Sequence, residues 1–140
     1  MVQKGFRVLF VLWAGSLWSL AAWVAPTLFH AQSDRHLAGV LAARLFSIET
    51  YAGIGVAAFA LLLPNKAKFR WGYVAAALLI VNEWLLKPVM TLAHAHGSVA
   101  ALSFGAWHGV SAVIYLAACL AVVVLVWREQ PLAQSYHAGI

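Results

Sequence analysis

The chain reads as an all-α polytopic membrane protein, a bundle of four transmembrane helices. Three observations predict this. Of its 140 residues, 64% are hydrophobic and only 9% are charged, against about a quarter charged in soluble domains. The mean hydropathy is +0.87. The apolar residues gather in four runs, each meeting the roughly 20 residues a spanning helix requires. These runs lie near 6–29, 37–63, 71–93 and 99–127, and no shift in composition separates a second domain, so residues 1–140 read as one unit.

The first run follows Lys4 and Arg7. A basic start before an apolar stretch also describes a signal peptide. This run is longer than an h-region of about 7–15 residues, and no clear small-x-small cleavage site follows, so it is expected to be a retained helix. Gly15, Ser19, Ala22 and Pro26 form a stripe of small residues along it. The second run carries Arg44 and Glu49, with Ala42, Glu49, Gly53, Ala57 and Ala60 on one face, which turns Glu49 toward a helix neighbour. The third carries Glu83 and Lys87 at i,i+4 spacing, and Pro88, which removes a donor and frees the carbonyl of Trp84. The fourth carries Gly105-Ala-Trp-His-Gly109, a G-x-x-x-G spacing that lets another helix approach, extended by Ala101 and Ala112. His108 and Ser111 lie along its edge.

The links between runs are short, so neighbouring helices are expected to be antiparallel. Lys4, Arg7, Lys66, Lys68, Arg70 and Arg128 fall on one side of this arrangement, and only Arg35 falls on the other. The positive-inside rule then predicts both termini and the second loop in the cytoplasm. Trp71 and Trp127 stand where interfacial aromatics belong. The net charge of +5 comes from these loop-end residues, so it does not point to nucleic acid; the lipid bilayer is the expected partner. The single Cys119 excludes an internal disulfide and any thiolate cluster within one chain.

Ionisable side chains in hydrocarbon are costly and commonly functional. Arg44, Glu49, Glu83, Lys87 and His108 fall between about 9 and 18 Å from one end of their helices at 1.5 Å per residue, all in the same half of the bilayer. Two charges cost a helix roughly 5–7 kcal/mol on an insertion scale, and each Leu, Ile, Phe or Val returns about 0.3–0.6. The second and third helices therefore insert near break-even, and pairing of the charges is expected: Glu83 with Lys87, and Arg44 or His108 with either Glu. One reading makes Arg44, Glu49, Glu83, Lys87, His108 and Ser111 a binding or transport site for a small solute or ion. The other makes them a salt-bridge network that fixes helix register.

His94 and His96 form an H-x-H pair near the end of the third run. Imidazole suits copper, zinc or haem, so a metal (copper) or haem-binding redox or homeostasis module is an alternative. A third is a non-catalytic accessory or structural subunit, packing through the small-residue stripes as a homodimer or against another membrane protein. No phosphate-loop, dinucleotide, nucleophile-elbow or H-E-x-x-H spacing occurs, so common enzymatic chemistries lack support. Pro26 followed by His30, and Pro88 by His94, give the first and third helices a shared pattern that would record a duplicated helical hairpin.

Trp13-Ala-Gly-Ser-Leu-Trp18, Ala25-Pro-Thr-Leu-Phe29, Leu37-Ala-Gly-Val, Arg44-Leu-Phe46 with Glu49 and Tyr51, Glu83 with Lys87-Pro88, and His108-Gly-Val-Ser111 to Tyr115 resemble the transmembrane-protein-205-like family, whose bacterial members form domain of unknown function 4149. The resemblance covers nearly the whole chain. It implies an integral membrane protein of about four spans, with motif positions at Arg44, Glu49, Glu83, Pro88, His108 and Ser111. An animal relative's link to platinum-drug resistance implies transport or metal handling. A looser likeness runs to the copper resistance protein D family and to a small membrane protoporphyrinogen oxidase, although Lys87 stands in a different local context from the oxidase's Lys.

Overall fold

A computed structural model describes residues 2–64 and 66–128, with side chains from Gly5 onward except Asn65; Lys4 of the charge count lies outside the described side chains. The described residues are nearly all helical. Among them, four helices are long and apolar enough to cross a membrane: α1 (Gly5–Ala31), α2 (Arg35–Leu61), α3 (Lys66–His96) and α4 (Phe104–Arg128). This makes it a multi-pass membrane protein.

Two of the four helices are not uniform. α1 is regular over Val2–Ser19, opens into a π-turn at Leu20–Val24, and resumes at Ala25–Ala31. α3 starts with a 3-10 turn at Lys66–Phe69, is regular over Arg70–Val81, opens into a π-turn at Asn82–Leu86 and resumes at Lys87–His96. Each π-turn ends just before a proline. The Ala25 N–H donates to Leu20 O, and the Lys87 N–H to Asn82 O. Pro26 and Pro88 have no N–H, so the wider i→i+5 register is left where the chain has no donor to continue it. The Trp84 carbonyl loses its donor, as the sequence predicts. The Glu83 carbonyl does too, since Lys87 N–H turns to Asn82 and the next candidate is Pro88.

α2 begins at an Asp34 cap, whose carboxylate accepts from the N–H groups of His36 and Leu37. The fourth helix starts five residues later than the expected Val99. Gly97, at φ 83°, ends α3. Residues Ser98–Val99 (β1) and Leu102–Ser103 (β2) then pair as an antiparallel hairpin. Its two turn residues, Ala100 and Ala101, both have positive φ, at 49° and 63°. Ala101 is thus a turn residue and not part of the α4 stripe. Ser103 Oγ accepts from the Ala106 N–H and starts α4, and Trp107 Nε1 donates to Val99 O, tying the hairpin to the helix.

The core sits toward the end of the molecule holding residues 6–17, 56–60, 69–79 and 115–125. Phe10 and Phe69 stack there with Phe6 edge-on to Phe10, and the Tyr115 hydroxyl reaches across to donate to the Leu17 carbonyl. α3 and α4 share the most extensive contact, and each helix also touches a neighbour in the other pair. Close approach depends on two glycines. Trp13 lies over Gly53, and Phe10 lies over Gly72, where a Cβ would come within 2.7 Å of the Phe10 ring. The Gly53 approach is the expected one. Gly105 and Gly109 are different: a Cβ at Gly109 would meet nothing within 4 Å, and at Gly105 only Ser103 Oγ at 3.9 Å. Among the described residues, no helix packs on that stripe. Trp71 stacks beneath the guanidinium groups of Arg70 and Arg128, at 6.0 and 5.8 Å.

Candidate functional site

The polar side chains divide into three groups rather than one network. The first joins α2 to α3. Lys87 Nζ lies 2.6 Å from Glu83 Oε1, the one ion pair among the described residues. Ser47 Oγ accepts from Lys87 Nζ at 2.7 Å and lies 2.9 and 3.0 Å from the two Glu83 oxygens. Its single proton goes either to Glu83 or to the Ala43 carbonyl one turn earlier, also 2.9 Å away. The Glu83 side chain is 13% exposed and that of Lys87 42%, so the carboxylate is the inner member and the amine the outer. The i,i+4 pair persists through the π-turn.

The second group joins α1 to α2. Ser16 Oγ lies 3.0 Å from Glu49 Oε2 and 2.9 Å from the Trp13 carbonyl. Glu49 is half-buried and has no cationic partner among the described residues. The indole N–H of Trp13 is buried and lacks an acceptor. That indole lies over Gly53, one turn along α2 from Glu49. A carboxylate with spare acceptor capacity and an indole donor without an acceptor thus occupy neighbouring turns.

The third group joins α3 to α4. Ser111 Oγ donates to Asn82 Oδ1 at 2.6 Å, and Asn82 Nδ2 donates to the Ser111 carbonyl at 3.2 Å. Asn82 is the first residue of the π-turn in α3, so this reciprocal pair fixes the level at which the turn meets α4.

Of the residues singled out in the sequence, Glu83, Lys87, Glu49 and Ser111 make inter-helical or ionic polar contacts. Arg44 and His108 do not join them. Arg44 is exposed and makes no ion pair among the described residues, and it lies about 140° around α2 from Glu49 at 100° per residue. His108 stacks on Phe104 at 6.0 Å, and Phe104 meets His94 edge-on at 5.2 Å, forming an aromatic row instead of a pair with either Glu. His94 and His96 are both helical, and i,i+2 spacing sends them about 200° apart. Among the described residues, no group of three His, Cys, Asp or Glu is placed to hold a metal ion. An open groove of about 410 Å³ follows Pro26, Thr27, His30 and Ala31, and none of the six polar-site residues lines it.

Ser16, Ser47 and Asn82 are the partners that sequence reasoning missed. Their signal was present: each is a polar residue in an apolar helix, and such residues commonly bond across helices. What pairs with what depends on helix rotation, which the two π-turns alter.

No curated protein and no solved structure matches the chain. The family described as Domain of unknown function (DUF4149) matches residues 8–134, nearly the whole chain, and the protein belongs to that family.

Proposed function

We propose that the chain is a four-helix bundle of the bacterial inner membrane, with both termini cytoplasmic, that binds and moves a small polar solute or ion in step with protonation of Glu49. One observation carries this: Glu49 sits at membrane depth with a serine hydroxyl as partner and no cation among the described residues. Glu83, by contrast, is neutralised by Lys87. A lone carboxylate in hydrocarbon is expensive unless it takes up a proton or a bound cation. The unpaired indole N–H of Trp13 supports a hydroxyl- or water-bearing occupant, able to donate to Glu49 and accept from the indole. The motif positions Arg44, Glu49, Glu83, Pro88, His108 and Ser111 support a kinship with the transmembrane-protein-205-like group.

The test uses proteoliposomes loaded with a pH-sensitive dye and subjected to a pH gradient. The wild-type chain should collapse the gradient faster than empty liposomes, and Glu49→Gln should lose most of that activity while remaining folded. If wild type, Glu49→Gln and empty liposomes behave alike, the reading fails.

A second reading, a homodimeric or accessory subunit, draws on a separate observation. The stripes at Gly15, Ser19 and Ala22 on α1 and at Gly105, Gly109 and Ala112 on α4 are exposed, with no helix packed on them among the described residues. Cross-linking in native membranes distinguishes the two, because an accessory subunit will be captured with a partner and show no flux of its own. The metal or haem alternative gains nothing from the divergent histidines at 94 and 96.

A further inference from the structure

We infer that the chain is a tandem duplication of one helical hairpin, and that the equivalent π-turn and proline elements at 20–26 and 82–88 are a matched pair of hinges for the histidine-bearing ends of α1 and α3. The shift between the copies follows from the hinges: Leu20 to Asn82, Val24 to Leu86 and Pro26 to Pro88 each differ by 62 positions (88 minus 26).

In the half of the molecule that holds the core, the same shift aligns the packing, which the hinges do not dictate; beyond it, buried Ala38, Ala42 and Ala93 correspond to exposed Ala100, Phe104 and Ala31. In α1 and α3, buried Phe10, Trp13, Ala14 and Leu17 correspond to buried Gly72, Ala75, Ala76 and Leu79. In α2 and α4, buried Gly53, Val56, Ala57 and Ala60 correspond to buried Tyr115, Ala118, Cys119 and Val122. Any two helices can be slid until their buried faces agree. Two independent helix pairs agreeing at one shift, already fixed by the hinges, is a stronger condition. Volumes are also exchanged between copies: Trp13 lies over Gly53 in the first hairpin, and the equivalent positions in the second are the small Ala75 and the large Tyr115. Phe10 touches Gly72, its own equivalent, as residues on a two-fold axis must. Both odd-numbered helices run in the same direction, so the axis runs along the bundle.

The hinge reading follows from the hydrogen-bond ladder and from burial. In each hinge, two carbonyls, those of Ala21 and Ala22 or of Glu83 and Trp84, lose the N–H that regular helix would supply. Bending concentrates at such sites. In α1 the last buried residue is Leu20, where the hinge begins; from Ala21 to Ala31 none is buried. α4 is shorter than α2 at the same end, because residues 97–103, equivalent to the helical 35–41, form the Gly97 stop and the β-hairpin. The far end of α1 is therefore loosely packed beyond its hinge, while α3 keeps one buried residue, Ala93, beyond its own. This inference does not depend on the role proposed for Glu49.

The test is a pair of distance measurements by double electron–electron resonance on the full chain in liposomes, with Cys119→Ala as background. Spin labels at Phe29→Cys and Thr91→Cys, equivalent positions beyond the hinges, should give a broad or two-component distribution. Labels at Leu12→Cys and Val74→Cys, equivalent positions before them, should give a narrow one. Adding Pro26→Ala and Pro88→Ala should narrow the first and leave the second unchanged. A 29/91 distribution as narrow as 12/74, or one unmoved by the proline substitutions, overturns the proposal. Hydrogen exchange on the unsubstituted chain guards against misfolded variants: residues 21–31 and 87–96 should exchange faster than 6–19 and 70–81. Uniform exchange along α1 and α3 would sink the idea equally.

Discussion

Glu83 and Lys87 illustrate how one side chain sets the cost of another. Removing one member of a desolvated ion pair leaves an unpaired charge and costs about 3–5 kcal/mol, whereas replacing both costs far less. Thermal melts in detergent should therefore show Glu83→Gln and Lys87→Met each strongly destabilised, and the double variant nearer wild type. Gly53→Ala places a methyl against the Trp13 ring, and overpacking of this kind costs about 1–3 kcal/mol. Gly109→Ala, with open space around it, should leave the melting temperature of the monomer unchanged; a fall in cross-linked dimer with no fall in melting temperature would show that a second copy packs there. At this scale the sequence was legible where a partner lies on the same helix. Glu83 and Lys87 were paired by their spacing alone. Ser16, Ser47 and Asn82 were not found, because the angle between helices decides their contacts, and no local pattern encodes that angle. The expectation for Arg44 and His108 failed for the same reason: shared depth does not imply shared direction.

The four spans were legible because composition and length suffice to define them. Their interruptions were legible only in part. Pro88 announced a break in α3, but the π-turn ahead of it has no sequence signature beyond the proline. The start of α4 was misplaced because Ser98 to Ser103 is apolar enough to pass for helix, while Gly97 and the positive-φ pair Ala100-Ala101 turn the chain back. Alanine in the left-handed region costs roughly 1–2 kcal/mol per residue, and Asn-Gly is the pair that this two-residue turn favours. Ala100→Asn with Ala101→Gly should thus raise the melting temperature. An unchanged or lower value would mean that the hairpin opens in the membrane-bound protein. Tyr115→Phe, which removes the bond to the Leu17 carbonyl, should cost about 0.5–1.5 kcal/mol.

For the whole molecule, the positive-inside bias predicts that a fluorescent protein fused after Ile140 will be bright and a periplasm-dependent phosphatase at the same place inactive; the reverse pattern would invert the orientation. The reciprocal Asn82–Ser111 bond has a consequence for biosynthesis. α3 is made with Glu83 and Lys87 able to pair with each other and with Ser47 of the earlier α2, whereas Ser111, the partner of Asn82, is made some thirty residues later (111 minus 82 is 29). Until α4 arrives, one of the three polar groups of α3 has no partner across the interface. α3 should therefore linger beside the insertion channel and leave it together with α4. A chain stopped at Gly97 is expected to remain cross-linkable to the channel and to be degraded rapidly, while Asn82→Leu in the same truncated chain should shorten that stay.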